Sequence, residues 1–229
     1  MAKKSIKKKI KPIKWCICTE GETEAMYLGA YCAELGIRDL IDINSDNSKC
    51  KKLSGKACGR KHRPLIDQML ICHIPRLYER VIALHDYDEY YNEKGKSTHT
   101  TFDEASEIGA NVEIEVYYSI PSFEFWLLLH LNFYQNNMTR FQCQDIVKDH
   151  VNKMRKEQGH AILSGDKYKT TPDIFEYFGG ISGAKLAKTH ALKLFKKGQP
   201  PKKPSSVKPS TNIFLLMDEL YKLAQRQNK

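Results

Sequence analysis

An α/β fold built on a mostly parallel sheet is what this sequence predicts, and three observations predict it. Short, unbroken apolar runs such as "WCIC" (residues 15–18) and "RVIAL" (80–84) read as strands buried on both faces. Helical segments alternate with these runs, the order that calls for parallel strands joined by right-handed crossovers. From Pro121 onward the pattern turns helical, so a mostly helical C-terminal extension is expected to complete the core.

In chain order, residues 1–13 form a lysine-rich arm, and "WCIC" is the first strand. A helix is expected over 23–35, with Thr23 as its N-cap and Gly36 closing it. "IRDLIDI" (37–43) reads as the second strand. The Gly- and Lys-rich stretch up to Arg63 has the length of a functional loop, and Pro64 opens a helix to about residue 78. "RVIAL" ends abruptly in "HDYDEYYNEKGKS"; a helix from about Phe102 to Ile108 and the strand "VEIEVYYS" (112–119) complete a core over 14–120. A helical region, 121–197, holds "PSFEFWLLLHLNF" and segments at 139–157, 172–178 and 182–197. Residues 198–209 read as a Pro- and Lys-rich linker with little capacity to fold. The last segment, 210–229, carries an amphipathic helix from Thr211 to about Gln225, with Ile213, Leu216, Leu220 and Leu223 on one face. No internal repeat is apparent.

A chain of 229 residues, 41% hydrophobic and 10% aromatic, can bury one good core. "FWLLLHLNF" falls far short of the roughly 18 apolar residues of a membrane span. The basic N-terminus lacks the apolar stretch and small-residue cleavage site of a signal peptide. Seven cysteines is an odd number, and Cys16, Cys18, Cys32, Cys72 and Cys143 fall in apolar or helical patterns, where reduced cysteine acts as a small hydrophobe. A cytoplasmic protein without a membrane association is expected. Cys50, Cys58, His62, Cys72 and His73 lack the paired C-x2-C spacing of a structural zinc module.

Lys and Arg number 37 against 27 Asp and Glu, a net charge of +10. The excess is clustered: in the N-terminal arm, in "SKCKKLSGKACGRKHR" (48–63), and between Lys185 and Lys208. Such patches release counterions on meeting phosphate, which points to nucleic acid as partner. Lys51, Lys52, Lys56, Arg60, Lys61 and Arg63 are the candidate contacts.

Against this basic background, acidic groups converge. Ligands of open α/β sheets bind beyond the carboxyl ends of the strands. Glu20 follows the first strand, and Asp86 and Asp88 follow "VIAL", so parallel strands would deliver all three carboxylates to one edge. A divalent cation is the simplest charge to offset them, and Mg2+ suits few carboxylates plus waters and phosphate oxygens. The D-x-D spacing aims both aspartates the same way in extended backbone and Tyr87 the other way. Glu22 and Glu24 open the first helix, where carboxylates complement the macrodipole. Glu124 lies early in the most apolar helix and needs a partner there; Ser122 beside it is expected to cap that helix. His130 reads as a packing histidine. Tyr87, Tyr90 and Tyr91 suit either base stacking or packing.

The blocks "CTEGETEAMY", "ALHDYDEY", "IPSFEFWLLLH" and "KPSTNIFLLMDEL" together resemble, in order and over about residues 14–222, the RloB family, relatives of the phage abortive-infection protein AbiLii. The first two also resemble the Toprim arrangement of topoisomerases, primases and OLD-family nucleases. His85 and Ile120 depart from the usual pattern. The resemblance implies a Toprim-like metal-dependent nuclease, with Mg2+ or Mn2+ as cofactor, acting as a toxic effector of antiphage defence beside an AAA-type ATPase of the RloA or AbiLi kind. By analogy RNA, tRNA included, is slightly favoured over DNA. It assigns Glu20 as metal ligand or general base and Asp86 and Asp88 as metal ligands, adds Glu124 to the site, and makes Lys169 a candidate phosphate clamp. Two alternatives stand beside it: a non-catalytic nucleic-acid-binding or regulatory subunit of an ATPase-containing complex, and a D-x-D enzyme using a nucleotide diphosphate. Self-association into a homo-oligomer stays open.

Overall fold

A computed structural model describes residues 14–44, 78–87, 98–111, 113–195 and 199–227. Strand β1 (Trp15–Thr19) is buried along its whole length, as its unbroken apolar run requires. It is flanked by β2 (Ile41–Asn44) and β3 (Arg80–Asp86); β4 (Ile114–Ile120) follows and the two-residue β5 (Ser210–Thr211) closes the row. Among the described residues the sheet order is β2-β1-β3-β4-β5, parallel except for antiparallel β5. The predicted α/β class and mostly parallel sheet are borne out, consistent with a Toprim-like fold.

Side-chain alternation divides the core. Trp15, Ile17, Ile82 and Leu84 point into the large cluster built with helices α1 (Glu22–Glu34), α3 (Phe123–Leu131), α4 (Arg140–Glu157), α6 (Gly180–Leu194) and α7 (Ile213–Gln227). Cys16, Cys18, Val81 and Ala83 point to the other face, with Ile108 of α2 (Thr98–Asn111) against them. Cys16, Cys18, Cys32 and Cys143 are buried, as small hydrophobes should be.

Local differences have physical causes. Helix α1 begins one residue earlier than predicted, with Gly21 at the N-cap. Thr23 is buried within the first turn, and its expected capping role is corrected. Gly36 does end the segment, in a left-handed conformation with φ of 70°. Residues Arg38–Leu40 form a 3-10 turn and only Ile41–Asn44 pair as a strand. Strand β3 runs through Asp86, further than the apolar run alone suggests, because His85 and Asp86 still pair with Tyr118 and Ser119. Helix α2 is longer than expected, and the segment expected as a helix at 172–178 is the single turn α5 (Ile174–Tyr177).

The largest correction concerns the linker. Its described part, residues 199–209, holds the 3-10 turn Pro204–Ser206, Ser205 is bound to Asp103, and Lys208 is bound to Tyr87. The next two residues, Ser210 and Thr211, pair with β4, so Thr211, predicted to open the last helix, is in a strand instead. The Ile120–Pro121 and Lys208–Pro209 bonds are cis. Helix α7 then packs Ile213, Leu216, Leu220 and Leu223 into the main core, as its apolar stripe predicts.

Candidate functional site

After β1 the chain turns to β2 on one side, and after β2 it crosses to β3 on the other. The carboxyl ends of β1 and β3 therefore flank the topological switch point, where open α/β sheets bind their ligands. Parallel pairing sets Thr19 opposite Leu84, so Glu20 arrives beside His85 with Asp86 one residue beyond. The buried His85 ring donates from Nδ1 to Glu20 Oε1 at 3.1 Å, and the Glu20 side chain keeps 23% of its surface exposed. Asp86 continues the Ile82–Leu84 face, toward α3 and α4, and is 8% exposed. Its charge is felt at the Cys143 thiol, which burial, Glu124 and Asp86 together push up to about 12.

Behind the rim lie two more acids. Glu24 is 3% exposed and Glu124 4%. Burial is the main force pushing the Glu24 carboxyl up to about 8; its own backbone amide opposes this, Glu124 and Glu20 push further, and Arg140 pulls back. The carboxylate folds over Gly21, where a Cβ would stand 2.6 Å from Glu24 Oε2. Glycine at the N-cap thus leaves room for the acid. Glu124 accepts from Ser122 Oγ at 2.6 Å and from Tyr168 OH at 3.1 Å. Burial, then the Glu124 charge, raises the Tyr168 phenol well above its ordinary value. Lys169, next to Tyr168, pairs with exposed Asp166 at 3.3 Å and stands 5.7 Å from the Tyr168 ring.

The family comparison adds to this geometry: the RloB family, described as RloB-like protein, matches residues 15–220. The chain belongs to the RloB family. The membership spans both the sheet and the helices behind it, and points to a defence-associated protein. No curated protein and no solved structure matches it. Among the described residues of this RloB-like protein, no helix is long and apolar enough to cross a membrane.

Of the residues read from sequence, the structure brings Glu20 and Asp86 to one rim and Glu124 close behind, while Lys169 follows the Glu124 partner Tyr168 in the chain and is paired to Asp166. Asp88, the basic cluster Lys51, Lys52, Lys56, Arg60, Lys61 and Arg63, the zinc candidates of 50–73, and Tyr90 and Tyr91 lie outside the described residues. Tyr87 is fully buried against Phe102, which decides for packing between the two roles its sequence position left open. Ser122 occupies the N-cap position of α3 without a capping hydrogen bond, since its hydroxyl goes to Glu124. His130 is the packing histidine expected: Nδ1 donates to the Phe178 carbonyl at 2.8 Å, Nε2 accepts from Tyr27, and burial lowers its pKa to about 4. In the third basic cluster, Lys188 is paired to Asp218 at 2.6 Å. Sequence reasoning passed over His85, Tyr168 and Arg140 as parts of the site. The burial of Glu124 in an apolar helix was the one signal that a hydroxyl partner had to exist.

The donors at the rim fit a hard divalent cation in kind, since they are carboxylates; behind them burial, with the Glu124 and Glu20 charges adding to it, holds Glu24 largely protonated near neutral pH. Among the described residues no three His, Cys, Asp or Glu side chains converge to hold a metal ion unaided.

Proposed function

We propose that this RloB-like protein is a metal-dependent nuclease that hydrolyses nucleic acid phosphodiesters, with RNA, tRNA included, slightly favoured over DNA, as the toxic effector of an abortive-infection defence. One observation carries the reading: the parallel register of β1 and β3 delivers Glu20 and Asp86 to the same rim at the switch point of the sheet. Mg2+ or Mn2+, held by Glu20, Asp86 and Asp88, would neutralise charge developing on the phosphate and activate water near neutral pH.

The side chains divide the remaining work. Glu20 keeps solvent access and is steadied by His85, so it is the group suited to accept the proton of the attacking water. Glu124, held by Ser122 and Tyr168, fixes the wall behind Asp86. Lys169 at the flank supplies a compact positive charge for a non-scissile phosphate, exchanging Asp166 for it. An AAA-type ATPase of the RloA or AbiLi kind is the proposed partner, and the cytoplasm the proposed site of action.

The test is cleavage of tRNA, single-stranded DNA and duplex DNA by the full chain with Mg2+ or Mn2+. The reading expects metal-dependent products that Glu20→Ala and Asp86→Ala each reduce by about a hundredfold or more; unchanged activity in either variant refutes the site. The second reading, a non-catalytic nucleic-acid-binding subunit, draws on the absence of a ready three-ligand group among the described residues. It expects tight, steeply salt-dependent binding that Asp86→Ala leaves intact, with no cleavage under any metal.

A further inference from the structure

The residue after Asp86 is held from a distant part of the chain. Tyr87 is 0% exposed and lies on the face of β3 opposite Asp86, packed with Phe102, Tyr118 and Ile120. Its ring meets Phe102 edge-on at 5.0 Å, and its amide donates to the Ser119 carbonyl at 3.0 Å. Lys208, 121 residues later, donates from Nζ to the Tyr87 hydroxyl at 3.0 Å, with the ammonium 4.4 Å from the ring centroid. The strap that carries Lys208 is anchored on both sides of it. Upstream, Ser205 donates from its amide and its hydroxyl to the two carboxylate oxygens of Asp103, at 3.0 and 2.5 Å. Downstream, Ser210–Thr211 pair with β4, and Ser119 Oγ donates to Thr211 Oγ1 at 2.9 Å.

Consecutive strand residues point to opposite faces, so rotation of one about the strand axis rotates its neighbour. We propose that Lys208 is a positioning residue for the active centre: it locks Tyr87 and thereby fixes the direction in which Asp86 leaves the rim. The assignment rests on the proposed role of Asp86 as a metal ligand. A directional contact does this work better than bulk would. The hydroxyl fixes where the ammonium sits, and the ring face adds a cation–π attraction that grows as the site dries. An apolar side chain of equal length fills the same space without setting the ring. Metal centres depend on such supports, because a ligand held loosely binds with less affinity even when its own atoms are unchanged.

The experiment compares wild type, Lys208→Met, Lys208→Arg and Asp86→Asn as full-length proteins. Mn2+ alone is titrated calorimetrically, hydrogen exchange is followed in peptides covering 80–87, and melting is recorded without metal. For Lys208→Met, Mn2+ affinity is expected to fall about tenfold. Exchange at the Tyr87 amide should quicken, the melting temperature should stay near wild type, and Lys208→Arg should restore both affinity and protection. Unchanged Mn2+ affinity in Lys208→Met, while Asp86→Asn abolishes binding, overturns the assignment and leaves the site reading standing. A Lys208→Met protein that melts earlier in step with its loss of affinity, unrescued by arginine, also overturns it, since the lysine is then merely structural. Wild type without Mn2+ binding, or Asp86→Asn binding as wild type does, overturns the site reading and the positioning role together.

Discussion

Burial keeps the Glu24 carboxyl protonated at pH values where an ordinary glutamate is ionised, raising its pKa from 4.5 to about 8. Between those values the folded chain binds a proton that the unfolded chain has released. The group therefore costs stability progressively as pH rises from 4.5 to 8, and the cost is constant above that. Glu24→Gln removes the titration: thermal melts should show the variant more stable than wild type at pH 8, by on the order of 2–4 kcal/mol, and nearly equal at pH 4.5. Glu124→Ala should act in the opposite direction. It leaves the Ser122 and Tyr168 hydroxyls facing a buried gap, a loss of about 2–4 kcal/mol readable by urea denaturation. Gly21→Ala separates site from stability. The new Cβ displaces only the end of the Glu24 side chain, so cleavage should drop while the melting temperature changes little.

Elements were legible where one force dominated. The apolar runs of β1 and β3 could only be strands buried on both faces, and their common direction followed from the helices between them. The rim position of Glu20 and Asp86 followed in turn. Boundaries were less legible because cross-strand pairing, absent from local pattern, carries β3 on through His85 and Asp86. The N-cap of α1 was misread because glycine there makes room for Glu24, a tertiary need that outweighs the capping preference for threonine. The strap at 199–209 was misread for a similar reason. Its prolines and lysines promise no regular structure, yet Ser205 and Lys208 find partners far away in the chain. Helix α6 offers a check on close packing: a Cβ on Gly183 would stand 1.9 Å from the Phe178 carbonyl oxygen and 2.8 Å from His130 Nδ1. Gly183→Ala should destabilise by about 3 kcal/mol or more, measured by chemical denaturation.

At the scale of the molecule, one apolar cluster runs from Trp15 in β1 to Ala224 in α7. The helices after Pro121 are the second face of the sheet, so the C-terminal helix belongs to the core rather than waiting for a partner. Removal of residues 210–229 should therefore abolish cooperative unfolding by circular dichroism. The net charge of +10 would suit the proposed polyanionic substrate, and the proposed cation would offset the carboxylates of the rim it is brought to.

The most direct test is a crystal of the full chain grown or soaked with Mn2+ and measured at the manganese edge. The account predicts an anomalous peak within coordination distance of carboxylate oxygens of both Glu20 and Asp86, lost in Asp86→Asn. Manganese bound elsewhere, with these two side chains turned away from any ion, would contradict it.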